Sequence, residues 1–145
     1  MATQLAQIVG AMVTALGTPT AVSAQIYRAR MRELAAEHAN AVVVRVLSST
    51  AERSTMKGGN TDWSSQIAVE CYARSNTSTP PDLALDSLWA AVYARLMANS
   101  LLGGLLLDEM YCTQAAYDFD IDSQHTACLT STWQITKQLT NNSLE

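Results

Sequence analysis

Residues 41–47 read AVVVRVL, which is the clearest strand pattern in the chain. Valine is β-branched and favours extended backbone, so the stretch predicts a β-strand. Its apolar side chains follow one another almost without alternation, which is typical of a strand that is buried on both faces. Residues 41–47 therefore predict a central strand of a sheet.

Four further segments predict strands, because apolar and polar side chains alternate along them with a period of two. They cover residues 21–30, 63–73, 109–119 and 126–138. In the last of these segments, the side chains predicted to face inward are Ala127, Leu129, Trp133 and Ile135. Those predicted to face outward are mostly hydroxylated: Thr126, Cys128, Thr130, Thr132, Gln134 and Thr136.

Two helices are predicted, one before the first strand and one between the third strand and the last two. Residues 3–16 have apolar side chains at helical spacing, and Gly17 and Pro19 end the run. The second helix begins in the sequence TPPD, with Thr79 as its N-cap and Pro80 as its first residue, and is expected to end near Asn99. Its predicted buried side chains are Leu85, Leu88, Trp89, Val92 and Leu96.

Three connections complete the prediction. Residues 32–40 favour a turn or a short helix, and Gly103-Gly104 breaks the second helix. Residues 48–61 read SSTAERSTMKGGNT and predict a long mobile hairpin loop. Strands are grouped rather than alternating with helices, so the fold class is α+β, as one domain over residues 1–145. We expect a mostly antiparallel sheet with two main helices packed on one face and a long β-hairpin loop.

Charge is scarce: 15% of the 145 residues are charged, against about 25% in a typical globular domain. Such a composition suits a subunit that covers much of its surface with copies of itself, and it fits a monomer with a Ser/Thr-rich surface equally well. Nine basic and thirteen acidic residues give a net charge of −4 without any basic run, which argues against sequence-specific nucleic-acid binding.

Membrane insertion and export are not expected either. The longest apolar stretch, near residues 101–107, is far shorter than the roughly 20 residues that span a bilayer. The start MATQLAQIVG lacks the basic segment of a signal peptide. The three cysteines, Cys71, Cys112 and Cys128, form no CxxC pair and predict no disulfide framework, which fits a reducing cytosol or a virion assembled there.

The sequence predicts no catalytic, cofactor or metal site, and we do not expect an enzyme. The two histidines, His38 and His125, belong to no catalytic motif. Asp118, Asp120 and Asp122 alternate in DFDIDSQH, but a calcium loop would need Gly at Ser123 and Glu at Leu129. A solvated acidic turn is the favoured interpretation, and any cation would bind weakly at a subunit boundary.

Three arginines alternate at Arg28, Arg30 and Arg32 and are predicted to line one face of the first strand. Two interpretations stay open. The charges belong to an exposed edge strand, where they discourage mispairing, or they contact acidic residues of a neighbouring subunit, such as those at 118–122.

Four stretches in this order resemble the tail terminator family (tail completion, or U-type minor tail, proteins) of long-tailed bacteriophages. Together they span nearly the whole chain. They are IYRAR at 26–30 followed by AVVV at 41–44, DWSSQIAVE at 62–70, LALDSLW at 83–89 with Tyr93, and YDFD at 117–120 before the strand 127–136.

The resemblance implies a structural role without a cofactor. Tail terminators form hexameric rings at the head-proximal end of the tail tube, stop its polymerisation and present the surface that the head-tail connector joins. DNA passes through the lumen without being read. By this resemblance the protein is expected in the virion tail, after assembly in the host cytoplasm.

Charge placement, the predicted strand edges and the position of the loop suggest which residues make contacts in such a ring. Candidate contacts between subunits are Arg28, Arg30, Asp118 and Asp120. Candidate contacts of the hairpin loop with a neighbouring ring are Arg53, Lys57, Gly58 and Gly59. The alternatives are another phage connector, such as a head-closure or tail-tube subunit, and a small soluble enzyme or ligand-binding domain, which would need a concave apolar pocket.

Overall fold

The computed structural model describes residues 3–18, 20–23, 25–29, 40–53, 60–74, 80–119 and 126–140. These described residues contain two α-helices, one short 3-10 turn at Leu102–Gly104, and five strands. The helices are α1 (Gln4–Gly17) and α2 (Pro81–Ala98). The strands are β1 (Ile26–Arg28), β2 (Asn40–Arg53), β3 (Asn60–Arg74), β4 (Tyr111–Asp118) and β5 (Thr126–Thr140).

The five strands form one sheet in the order β1-β2-β3-β5-β4. β1 pairs with β2 in parallel, and every other pair is antiparallel. Both helices pack on the same face, α1 on β1 and β2 and α2 on β3 and β5. The α+β class with helices on one face is therefore confirmed.

The helix-side face of the sheet carries the apolar core. Val42 and Val44 of β2 lie beside Ile67 and Val69 of β3, and Leu129 of β5 continues the layer. The helices supply the other half of this core with Ile8, Val9, Met12, Leu16, Leu85, Leu88, Val92 and Leu96. The periodicity predicted these inward-facing residues correctly, except that Trp89 is only half-buried.

The valine-rich stretch is an interior strand that is buried on both faces, as predicted. Ala41 and Val43, on the face opposite the helices, are as buried as Val42 and Val44. The middle strand of the sheet is nevertheless β3, and burial ends before Val46. A shift in register between Val46 and Ser48 interrupts the β2–β3 pairing just where burial ends.

The predicted hairpin loop at 48–61 is wrong over much of its length. β2 continues to Arg53 and β3 begins at Asn60, so residues 48–53 and 60–61 are strand, and residues 54–59 lie outside the described residues. β5 pairs with β3 as far as Asn60–Thr140 and lengthens this arm into three strands. Ladder hydrogen bonds hold these residues extended although their side chains are polar.

The structure also corrects the start of α2 and the extent of β1. Pro80, not Thr79, is the N-cap, and Pro81 is the first helical residue. A residue that precedes proline avoids helical backbone, so Pro80, with φ −60° and ψ 153°, is extended and the helix begins at Pro81. β1 spans three residues and not the predicted 21–30.

Two outward-facing predictions in β5 need correction. Thr126 and Cys128 lie on the face opposite the helices, yet both are buried there. The alternation assigned their face correctly, but a period-two pattern does not reveal what covers a face. Residues 32–39, with His38, and residues 120–125, with His125 and Asp122, lie outside the described residues.

Candidate assembly surface

β4 is an edge strand, and its outer side is unpaired within the described part of the chain. It pairs with β5 on one side, and no described strand pairs with its other side. All of its residues are exposed except Cys112, which is half-buried. Natural edge strands are protected by lysine, proline or shortness. β4 has eight residues and only one charge, Asp118, so it offers a row of backbone groups to another strand.

Aromatic side chains accompany this open edge. Tyr111 is 55% exposed, Tyr117 58% and Phe119 44%. The rings of Tyr117 and Phe119 stack, with centroids 6.2 Å apart and planes 18° apart. We call Tyr111, Tyr117 and Phe119 the aromatic edge. Exposed aromatic groups of this kind are typical of the centre of protein interfaces.

A second aromatic group lies on α2, next to the core. Trp89 and Tyr93 contact each other with centroids 5.5 Å apart, and Tyr93 lies 5.8 Å from the buried ring of Trp133 in β5. Tyr93 is itself 43% exposed. The flank of α2 therefore carries an aromatic surface above β5, the strand that pairs with β4.

The opposite face of the sheet carries a polar cluster that the sequence did not predict. Arg45 Nε donates a hydrogen bond to Glu70 Oε1, and Tyr72 donates one to Glu70 Oε2 at 2.5 Å. Burial, and then the hydrogen bond to Glu70, raise the pKa of Tyr72. The alternation along β3 places Glu70 and Tyr72 on one face, but only the β2–β3 register adds Arg45. The cluster links β2 to β3 through side-chain hydrogen bonds.

Arg28 and Asp118, predicted as subunit contacts, lie at opposite edges of the sheet. Arg28 is in β1, on the helix-side face, and its Nη2 donates a hydrogen bond to the Ala6 carbonyl of α1 at 2.8 Å. Asp118 ends β4 and pairs with Cys128, which places it on the opposite face. The fold does not bring Arg28 and Asp118 together within one chain.

Of the other predicted contact residues, only Arg53 belongs to the described part of the chain. The backbone of Arg53 ends β2 opposite Thr61. The remaining predicted contacts lie outside the described residues: Arg30, Lys57, Gly58, Gly59 and Asp120. Their predicted roles stay predictions.

One cavity of about 210 Å³ lies between the start of α1 and the sheet, next to Gln4, Trp63 and Lys137. Pockets for small molecules usually measure about 300–1,000 Å³. Lys137 Nζ, the cationic group at this cavity, donates a hydrogen bond to the Leu105 carbonyl at 2.6 Å. Burial lowers the pKa of Lys137. This cavity is smaller than that range, whereas a second, more open cavity of about 650 Å³ between α1 and α2, next to Thr14, Arg95 and Asn99, falls within it.

The cysteines are free thiols in the sheet. Burial raises the pKa of Cys71 to about 12 and also raises the pKa of Cys128. Both thiols are therefore protonated and poor nucleophiles near neutral pH. Within the described part of the chain, no three His, Cys, Asp or Glu side chains are grouped so as to hold a metal ion. No described helix combines the length and apolar character needed to cross a membrane.

Comparison with known proteins gives a likeness of fold. No family model matches the chain, and no curated protein matches it. Among solved structures, a chain from the virion of a native gene transfer agent particle superposes with a TM-score of 0.59. The match covers 90% of this chain and 94% of that chain at 10% sequence identity. This chain thus shares its fold, over nearly its whole length, with a component of a gene transfer agent virion.

Proposed function

We propose that the protein is a structural subunit of a phage-like virion, and specifically a tail terminator. The observation that carries the proposal is the shared fold with a chain of the gene transfer agent virion over 90% of this chain. The resemblance of the sequence to tail terminators supports the finer assignment. In this role the protein forms a ring, in which six copies are expected, at the head-proximal end of the tail tube.

The surface of the single chain supports a role in assembly. The open edge of β4 and the aromatic edge expose backbone and apolar groups that an isolated protein normally protects. The low charge content agrees, because surface that faces neighbours needs few charges. The role is structural and needs neither a catalytic residue nor a cofactor.

The proposed partners follow from the position of the ring. One face of the ring meets the tail-tube protein and stops its polymerisation, and the other face meets the head-tail connector. The arm built by β2 and β3 extends beyond the core, and residues 47–52 in it are exposed. We propose that the end of this arm, with Arg53, Lys57, Gly58 and Gly59, contacts a neighbouring ring. DNA passes through the lumen without base-specific contacts.

Negative-stain electron microscopy tests this function. The purified protein is imaged alone and after mixing with growing tubes of the tail-tube protein from the same particle. We expect closed single rings that cap the tubes and fix their length. Filaments of the protein alone would identify a tube subunit, and rings that bind no tube would identify a head-closure subunit. Monomers in both samples would contradict every ring-forming role.

The predicted subunit contacts can be tested in the same assay. Arg28→Ala and Asp118→Asn each remove one charge from an edge of the sheet, and we expect fewer complete rings. Ala94→Lys, which changes the charge at an exposed position of α2 away from the Trp89–Tyr93 flank, is the control and should leave ring yield unchanged. Full ring yield from Arg28→Ala would exclude Arg28 as a subunit contact.

A further inference from the structure

We propose that the open edge of β4 pairs, head to tail, with the β1 edge of a second copy of this chain, so that the sheet continues from one subunit into the next. The proposal rests on the proposed function in one respect, namely that copies of this chain associate. Three features of the described residues support it: strand direction, edge charge and the spacing of the helices.

Strand direction suits a head-to-tail junction. β1 runs parallel to β2, and the three antiparallel pairs that follow leave β4 running opposite to β1. When the next copy is added in the same orientation, its β1 therefore lies antiparallel to β4. Antiparallel pairs form the more favourable hydrogen-bond ladder. A heterologous junction of this kind closes into a ring when the rotation between copies is right.

The charges at the two edges have opposite signs. Asp108 and Glu109 precede β4 and Asp118 ends it, and all three are exposed. β1 ends with the exposed Arg28, and Arg30 follows in the sequence. A head-to-tail junction places the acidic β4 edge beside the basic β1 edge, which favours the approach of two copies, although Asp118 and Arg28 lie on opposite faces of the sheet and form no direct pair. Antiparallel self-pairing of two β4 strands would instead bring acids of both copies together, which is unfavourable.

The helix layer leaves room for the next copy. Strands lie about 4.8 Å apart, so two strands are about as wide as one packed helix, which takes about 8–10 Å. α1 packs on β1 and β2, and α2 packs on β3 and β5. β4 belongs to neither of these strand pairs. The α1 of the next copy would therefore lie about three strand spacings, or roughly 14 Å, from α2.

Large side chains fit the gap that this spacing creates. Tyr117 shares the helix-side face with Leu129, its partner in β5, and Phe119 stacks on it. Tyr93 and Trp89 lie on the flank of α2 that contacts Trp133 of β5. The exposure of Tyr93, Tyr117 and Phe119 in the single chain is explained if they fill the space between α2 and the incoming α1.

The test uses one charge on β4. Ala115 is exposed, lies on the helix-side face through its pairing with Ser131, and is in the same sheet row as Arg28 at the other edge. Ala115→Lys would place a cation against Arg28 of the next copy. We expect the concentration for half-assembly, measured by mass photometry, to rise at least about tenfold, equivalent to about 1.4 kcal/mol. The second variant Ala115→Lys with Arg28→Glu should recover assembly.

Two controls separate assembly from folding. Ala94→Lys adds the same charge at an exposed position of α2 and should assemble like the unmodified protein. Urea unfolding of the monomers verifies that each variant folds. Hydrogen exchange gives an independent readout, because the amides of residues 111–118 should become protected on assembly. Equal assembly of Ala115→Lys and the unmodified protein, or unchanged exchange in β4, would overturn the proposal.

The outcomes also separate this proposal from the proposed function. Rings that cap tubes but do not respond to Ala115→Lys leave the terminator role standing and reject edge pairing. Filaments whose β4 amides are protected support edge pairing and reject the terminator role. A protein that stays monomeric at every concentration, and also with tubes present, rejects both.

Discussion

Trp133 Nε1 donates a hydrogen bond to Ser131 Oγ at 3.0 Å, and both side chains are completely buried. The Ser131 hydroxyl in turn donates to the Val69 carbonyl of β3 at 3.0 Å. The Ser131 hydroxyl thus accepts the hydrogen bond of the indole N–H of Trp133, the largest fully buried side chain, and links β5 to β3. The cost of burying the indole N–H depends on this single partner.

Ser131→Ala should lower the free energy of unfolding by about 1–3 kcal/mol, because it leaves the Trp133 N–H buried without its acceptor. Urea unfolding monitored by tryptophan fluorescence measures the change. Ser87→Ala is the matched control, since the Ser87 hydroxyl is exposed and bonds only within α2. The control should stay within about 0.5 kcal/mol of the unmodified protein. Equal losses in both variants would contradict this account of the core.

Glu70→Gln should destabilise the fold by about 0.5–1.5 kcal/mol, because it removes the charge that Arg45 contacts while keeping an acceptor for Tyr72. Arg45 is 42% exposed, so solvent screens part of the interaction. A double-mutant cycle with Arg45→Met measures the coupling. Glu52→Gln, exposed on the same arm, is the control and should have no measurable effect. A coupling energy of zero would show that the ion pair adds no stability.

Cys71 should make the protein sensitive to alkali. Its pKa is about 12 in the folded state against an ordinary value of 9.0. The folded-state pKa is raised, so the full stability is present below about pH 9 and is lost as the pH rises from 9 towards 12. Near pH 11 the loss should amount to about 2–3 kcal/mol.

Urea unfolding at a series of pH values tests this in the unmodified protein and in Cys71→Ala. The variant should lose much of the slope between pH 9 and 11, whatever its stability at neutral pH. Cys112→Ala is the control, because that thiol is half-exposed and should change the slope less. A slope that survives in Cys71→Ala would assign the alkaline transition to other groups, and Tyr72 would be the next candidate, since its pKa is also raised.

Gly104→Ala should cost about 1–2 kcal/mol, because Gly104 has φ 93°, a conformation that residues with a Cβ rarely adopt. Gly17→Ala provides the contrast: it ends α1 with ordinary backbone and open space around its Cα. The Gly17 variant should be neutral or more stable by up to about 1 kcal/mol. Thermal unfolding measures both, and a reversed order would refute the strain at Gly104.

Local patterns in the sequence predicted most elements and their faces. The spacing of Ile8, Met12 and Leu16 predicted the buried side of α1, and the alternation of Leu129 and Trp133 predicted the buried side of β5. Both succeeded because backbone geometry alone fixes whether neighbouring side chains share a face. The prediction was wrong at residues 48–53. Their polar side chains suggested a loop, but backbone hydrogen bonds to β3 make these residues part of a strand.

The candidate assembly surface could be predicted only in part. Arg28 and Asp118 were selected by charge and alternation, which left the edge position of β1 as one of two interpretations and did not reveal the edge position of β4. The edge position of β4 follows from β5 pairing between β3 and β4, a non-local arrangement. The exposure of Tyr117 was not predicted for the same reason, since alternation does not show which strand lies at the edge of the sheet.

Sequence patterns were enough to predict the helices, the valine-rich strand and the inward-facing side chains, because these depend on backbone geometry and on neighbours a few residues apart. The tertiary structure decided the strand order, the Arg45–Glu70 contact and the opposite edges on which Arg28 and Asp118 lie. Those features depend on pairing between segments far apart in the chain. Many pairings satisfy the same local pattern, and only the packing of the whole core selects one.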